Sequence, residues 1–386
     1  MLWGATLCSQ VGTGMQTVLL GWLVLAMTDS NTMVGLLFAI RSAPNLLVGF
    51  MAGALTDRFD RRMLMRLTTC GMALVPWFMA WCAWQGTLAL WMLLGCTALL
   101  GLLQAFEATA RQAYTFDVVG AREATQGLAL LFLAQRLGGV FGSLLAGATL
   151  AWWGASLSFL TMGLTYGGGA VAIWTLRQRG SAAPQVQESM WDNVLAYGRE
   201  LRANRVMQSL ILSTAGTELF GFSYQVLLPT LARDVLHSGA AGLGLLTAGR
   251  FLGGVLGSAV LTAVQSTRHQ GRMLLVTLTL FGIGLVSLAE VTYFWLTLGG
   301  VMFVSMMAAA ADILHMALLQ HSVANEQRGR AMGAWVVGTG TAPLGHLATG
   351  ALAGLMGASL ALLLNGAALL ALAGTLALAL PRLRRL

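Results

Sequence analysis

Residues 53–62, GALTDRFDRR, set five charged side chains into their last six positions, in a chain of 386 residues that is only 9% charged and 57% hydrophobic. Such a run belongs at a boundary between apolar spans. On both sides of it, windows of about 20 apolar residues recur, long enough as helix to cross a hydrocarbon core of about 30 Å. Lipid offers backbone groups no partner, so the windows are helices. Working outward from Gly53, twelve spans are predicted at about 2–27, 32–55, 64–84, 88–110, 125–149, 155–176, 206–232, 239–264, 273–290, 294–319, 330–354 and 358–380. The first is too long for a signal-peptide core and has no basic lead, so it is expected to be retained.

The chain is an expected all-α membrane protein of twelve transmembrane helices in two six-helix bundles, 1–176 and 206–386. The segment 177–205 joins them as a cytoplasmic linker, in which Trp191, Val194, Leu195 and Leu201 share one face of an expected interfacial helix. A solvated linker without that helix is the alternative.

A net charge of +8 would suggest nucleic acid in a soluble protein. Here position decides otherwise. All 22 basic residues are Arg; with a cytoplasmic N-terminus, eighteen fall on cytoplasmic loops, helix ends and tail, and only Arg233 lies in an outer loop. That asymmetry predicts both termini in the cytoplasm and leaves no role for nucleic acid. Cys8, Cys70, Cys82 and Cys96 lie inside apolar spans without metal-ligand spacing.

The halves repeat. Residues 142–157, GSLLAGATLAWWGASL, align without gaps on 345–360, GHLATGALAGLMGASL, with 8 of 16 positions identical. A second alignment, AIRSAPNLLVG from Ala39 on AGRFLGGVLGS from Ala248, superposes Arg41 on Arg250. Repeats of this order build alternating-access transporters, with the substrate site between halves near mid-membrane.

The opening stretch resembles the loop between helices 2 and 3 of major facilitator superfamily transporters, G-x-L-x-D-R-x-G-R-R/K, through Gly53, Leu55, Asp57, Arg58, Arg61 and Arg62, with Asp60 where the pattern has Gly. Other stretches, such as FEATARQAY and LLQHSVANEQRGRAMG, are similar to the bacterial subgroup of enterobactin exporters and macrolide efflux pumps. In helix 5, Gly138, Gly142 and Gly147 resemble the antiporter motif G-x-x-x-G-P-x-x-G, with Ser143 in place of Pro. Small residues one turn apart also serve plain helix packing. Thr97 stands where many proton antiporters carry a helix 4 Arg.

The resemblance implies a conformational latch. Asp57 would accept from the free amides at the start of helix 11, near 328–331, and Arg61 or Arg62 would reach Glu107 or Asp117. A positive-inside anchor with no such role is the alternative. Glu107 also precedes Arg111 by four residues, the spacing of a same-helix ion pair.

A charge at a helix centre costs about 2.5–3.5 kcal/mol on insertion scales, so each needs a partner or a wet cavity. The resemblance puts helices 1, 4, 7 and 10 around the cavity, which makes Glu218 and Asp312 candidate proton carriers; an ion pair of Glu218 with Arg250 or Arg136 is the rival reading. Gln10, Thr13, Gln16, Arg41, Arg136, Thr217, Tyr224, Gln225, Arg250 and His315 are candidate cavity residues, the arginines suiting an anionic substrate.

No nucleophile elbow, metal cluster or phosphate loop with Lys occurs, so neither enzyme nor cofactor is implied. The expected function is proton-antiport export of small amphipathic compounds, drug-like or siderophore-like, by a chain that can act as a monomer in the bilayer. A transport-silent sensor or partner subunit, or an importer or lipid transporter on the same fold, stays open as the alternative.

Overall fold

The computed structural model describes residues 2–58, 60–176, 205–264, 269–321 and 335–379. Among these residues every regular element is helical. The chain opens with α1 (Leu2–Thr28), α2 (Asn31–Arg58) and α3 (Arg61–Trp84). A helical stretch Leu90–Trp174 follows, divided by Gly120 and Gly154 into α4 (90–119), α5 (121–153) and α6 (155–174). Next come α7 (205–235), α8 (Gly239–Val264), α9 (Gln270–Leu288), α10 (Phe294–His321), α11 (Ala342–Met356) and α12 (Ala358–Ala379).

Eight stretches among the described residues are long and apolar enough to cross a membrane, α5 and α6 being joined in one of them. The expected interfacial helix of the linker lies outside the described residues.

The α4–α5 connection differs from the polar loop expected between 110 and 125. Both helices run on to a single reversal at Gly120, whose φ of 73° and ψ of 166° suit glycine. Arg111 therefore sits inside α4, buried. It needs no loop, because its partner Glu107 is one turn away on the same helix.

The fold clusters into two compact units. One holds 1–184 with 228–252, the other 185–227 with 253–386. The first unit thus takes in the end of α7 and most of α8.

Its helices approach through glycines. The Gly14 position faces the backbone of Gly139, so α1 and α5 meet almost backbone to backbone. Gly147 faces Gly244, which does the same for α5 and α8. Met15, Leu19, Phe159 and Tyr166 of the same unit are fully buried. In the second unit Gly253 and Gly257 lie against the carbonyls of Met302 and Met306, which seats α8 on α10.

Candidate functional site

The run that opened the sequence builds the start of α3. Asp60 is its N-cap, the carboxylate oxygen Oδ1 accepting from the Arg62 amide at 2.9 Å. The residue that departs from the superfamily pattern thus does a helix-capping job. Arg61 then donates to Asp117 of α4 at 2.8 Å, both side chains nearly buried. Arg62 and Arg66 cap the end of α6, Arg62 donating to the Leu176 carbonyl at 3.2 Å and Arg66 to that of Trp174 at 2.9 Å. Cations at carbonyl-rich helix ends are favourable. Arg66 also stacks over the Trp174 ring at 4.7 Å.

Of the two acids expected near Arg61 and Arg62, only Asp117 is reached by Arg61. Glu107 is held by Arg111, whose Nη1 lies 3.0 and 2.9 Å from its two oxygens. The side chains of Gly53, Asp57 and Arg58, and the helix 11 residues 328–331, lie outside the described residues.

Inside the first unit a chain of polar side chains crosses α1, α4 and α6. Gln104 donates to both Gln16 and Tyr166, at 2.5 and 3.1 Å, and the Tyr166 hydroxyl lies 3.3 Å from Thr13. Arg41 of α2 donates to Thr17 at 2.7 Å. Gln10 packs against Gly138 at the α1–α5 crossing. Thr13, Gln16 and Arg41 are thereby brought together, and Arg250 is close enough to Arg41 to act on it electrostatically. Arg136 is half-buried on α5. Gln104 and Tyr166 were absent from the sequence-level candidates. The one available signal was that each interrupts an apolar run with a hydrogen-bonding side chain.

In the second unit α7 leaves α-helical geometry at the candidate carboxyl. Residues Thr217–Gly221 form a π turn and Phe222–Leu227 follow as 3₁₀ helix, while the end of α7 that belongs to the first unit carries another π turn, Leu231–Val235. Such turns free backbone groups and are frequent at functional sites. Glu218 lies in the first of them, its carbonyl accepting from Ser223 at 3.0 Å. Its carboxyl is near enough to Asp312 of α10 for the two to interact.

One turn on from Asp312, His315 is buried with its Nε2 2.7 Å from Ser213. Tyr224 lies 2.6 Å from Ser305, and Gln225 donates to His346 at 2.8 Å. Thr217 donates to its own helix, at the Ser213 carbonyl. Glu218, Asp312 and His315 thus gather where α7 meets α10, and Tyr224 and Gln225 turn to α10 and α11.

Gly138, Gly142 and Gly147 all sit at close approaches: on Gln10, on the Val11 carbonyl and on Gly244. Ser143 is buried and donates to the Gly139 carbonyl at 2.7 Å. At one end of the first unit, Arg233 donates to Asp29, to Asp234 and to the Leu25 carbonyl, while Thr230 donates to Asn31. Arg233 is kept firmly cationic there by its hydrogen bond to Asp234 and, further, by that to Asp29.

The profile of the family described as transmembrane secretion effector matches residues 1–386. The staphyloferrin A transporter of Staphylococcus aureus is 24% identical over 338 residues, covering 85% of this chain and 82% of its own. An enterobactin exporter EntS of Shigella boydii is 28% identical over 393 residues, covering 99% and 91%. Among solved structures, the nucleoside transporter NupG superposes with a TM-score of 0.77 at 11% identity, over 98% of this chain and 99% of that one. An inward-facing, unoccupied bacterial homolog of the human lysosomal transporter Spinster gives 0.68 at 16%, over 98% and 94%.

Proposed function

The chain belongs to the transmembrane secretion effector family of the major facilitator superfamily, and from that premise we propose that it exports small amphipathic compounds, drug-like or siderophore-like, in exchange for protons. That it is a membrane transporter follows from the family. The direction and the class of cargo are supported by relatives that carry siderophores.

The observation that carries the coupling is the meeting of Glu218 and Asp312 at a π turn of α7. Two carboxyl groups in a membrane interior repel one another when both are ionised, so a proton taken up by one relieves both. A carrier that prefers one conformation when protonated and the other when not converts a proton gradient into a population shift. Substrate release on one side and proton uptake on the same side then follow from one equilibrium.

In this reading the bundles 1–176 and 206–386 alternate access, with both termini cytoplasmic, as the arginine asymmetry supports. Gly138, Gly142 and Gly147 supply the packing surfaces of α5. Asp57, Arg61 and Asp117 belong to a latch on the cytoplasmic side, of which the Arg61–Asp117 pair is the described part. Gln10, Thr13, Gln16, Thr217, Tyr224, Gln225 and His315 furnish polar contacts for cargo.

The test is transport by purified protein in proteoliposomes, with enterobactin, staphyloferrin A and a macrolide under an imposed proton gradient of either sign. Accumulation against its gradient of at least one compound, collapsed by a protonophore, is the expected result. If none moves in either direction, the export reading fails for this cargo class, and a transport-silent role on the same fold takes its place.

A further inference from the structure

Arg41 lies in the middle of α2, where a guanidinium is expensive to bury without a counter-charge. Its direct hydrogen bond is to a neutral group, the Thr17 hydroxyl at 2.7 Å. Among the described residues no carboxylate stands within ion-pair distance of it. Another cation, Arg250, acts on it electrostatically, and that guanidinium stacks over the Phe251 ring at 4.6 Å. The Tyr166 hydroxyl is the other group that acts on it.

Arg41 and Arg250 occupy equivalent positions of the two sequence repeats, in α2 and α8. Two like charges therefore act on one another within the first unit.

Among the described residues, the narrow recess between α1 and α2 that holds Arg41, walled by Leu20, Leu37 and Phe38, offers it only Gln16 and Thr17 as polar neighbours. Gln16 is completely buried, and its Nε2 has no hydrogen-bond partner although its Oε1 is taken by Gln104. A buried amide donor left unmatched costs free energy of the order of a lost hydrogen bond, a debt that a ligand acceptor removes.

We propose that Arg41, with Gln16 beside it, forms a subsite for an anionic group of the cargo, a carboxylate or catecholate. The proposal rests on the export reading above and narrows its cargo to compounds that carry such a group. A guanidinium presents a planar fork of donors that matches a carboxylate in two-point contact. The recess is too narrow to admit a water molecule as it stands. The anion is thus met by the guanidinium swinging away from Thr17, and Thr17 is an internal stand-in that competes with cargo.

The experiment measures thermal shifts and intrinsic tryptophan fluorescence of the full chain in detergent with three probes: citrate, 2,3-dihydroxybenzoate and the lipophilic cation tetraphenylphosphonium. Wild type is expected to respond saturably to at least one of the two anions. Arg41→Gln weakens that response by roughly tenfold or more, while any response to the cation is kept. Should Arg41→Gln fail to fold, Thr17→Val serves: removing the competing hydroxyl is expected to tighten anion binding several-fold.

An anion response that survives Arg41→Gln unchanged, an absent anion response in wild type, or no tightening in Thr17→Val overturns the subsite. Proton-driven export confined to neutral or cationic compounds would remove the subsite alone. Absence of all transport removes the export reading with it.

Discussion

Arg233, in the last turn of α7, donates to Asp29 in the turn between α1 and α2, and the same guanidinium reaches the Leu25 carbonyl at 3.1 Å. Next to it Thr230 donates to Asn31 at the start of α2. This end of the first unit is therefore clasped by charge and hydrogen bonds across elements from both halves of the sequence. The Asp29 side chain is 82% exposed, and an ion pair in such surroundings contributes little to stability. Its consequence lies in access. Arg233→Ala is expected to shift Tm only slightly, yet to raise labelling of a cysteine introduced at the buried Thr230 by an impermeant maleimide several-fold. High salt should do the same in wild type and nothing further in the variant. Equal labelling in both would remove the clasp.

The glycines of α5 are expected to divide sharply from glycines elsewhere. A Cβ at Gly142 would be driven into the Val11 carbonyl of α1, with the Met15 amide 3.0 Å away. Backbone cannot yield as a side chain can, so Gly142→Ala should destabilise by about 1–3 kcal/mol. Gly168, exposed on α6, has nothing within 4 Å of its position. Gly168→Ala should therefore be neutral or stabilise by up to about 1 kcal/mol through helix propensity. Thermal unfolding of the two variants in one detergent checks the contrast.

The eight stretches long and apolar enough to cross a membrane among the described residues could be read from composition, because lipid imposes a length and a polarity on every crossing. Charge order around Gly53 to Arg62 led to the superfamily, and spacing offered the Glu107–Arg111 pair. What composition could not supply was rotation. Whether Arg61 or Arg62 meets Asp117 depends on how α3 turns against α4, and the choice falls to Arg61 because Arg62 is drawn to the end of α6.

The π turn of α7 at Thr217–Gly221 was hidden in an apolar run, whereas Pro229, which lacks the amide that would bond the Gln225 carbonyl, marked the departure from α geometry over Phe222–Leu227. Gly221 lies under the Phe281 ring of α9, and Leu219 is pressed on Gly345 of α11. Gln104 and Tyr166 escaped notice because a lone polar residue in an apolar run has no spacing to betray its partner.

Glu107 and Arg111 form an ion pair with side chains only 3% and 2% exposed. Removing one partner of such a pair leaves an uncompensated charge and is strongly destabilising, by about 3–5 kcal/mol. Arg111→Met alone should therefore abolish most folded protein in membranes. The double variant Glu107→Gln with Arg111→Met removes both charges together and is expected to recover much of the loss. A double-mutant cycle on Tm, with detergent-purified protein, gives the coupling directly. Additive single effects would mean that the pair is incidental.

The last prediction separates coupling from architecture at Glu218 and Asp312. Glu218→Gln keeps the size and hydrogen-bonding reach of the side chain but removes its exchangeable proton. If Glu218 carries the coupled proton, net efflux driven by a proton gradient should fall by roughly 5- to 150-fold, the usual span of a coupling free energy. Exchange of labelled for unlabelled cargo at equal pH on both sides needs no proton movement, and it should persist. Asp312→Asn leaves Glu218 without its like-charged neighbour, so its net efflux should survive with an altered dependence on pH, since two interacting carboxyls titrate as a pair and one alone does not. His315, one turn away on Ser213, provides a contrast: as a cargo contact that holds no coupled proton, it should lose exchange and net efflux together in His315→Gln. A parallel loss of exchange and net efflux in Glu218→Gln would instead assign that side chain to the structure of the α7 turn, and the coupling group would have to be sought elsewhere.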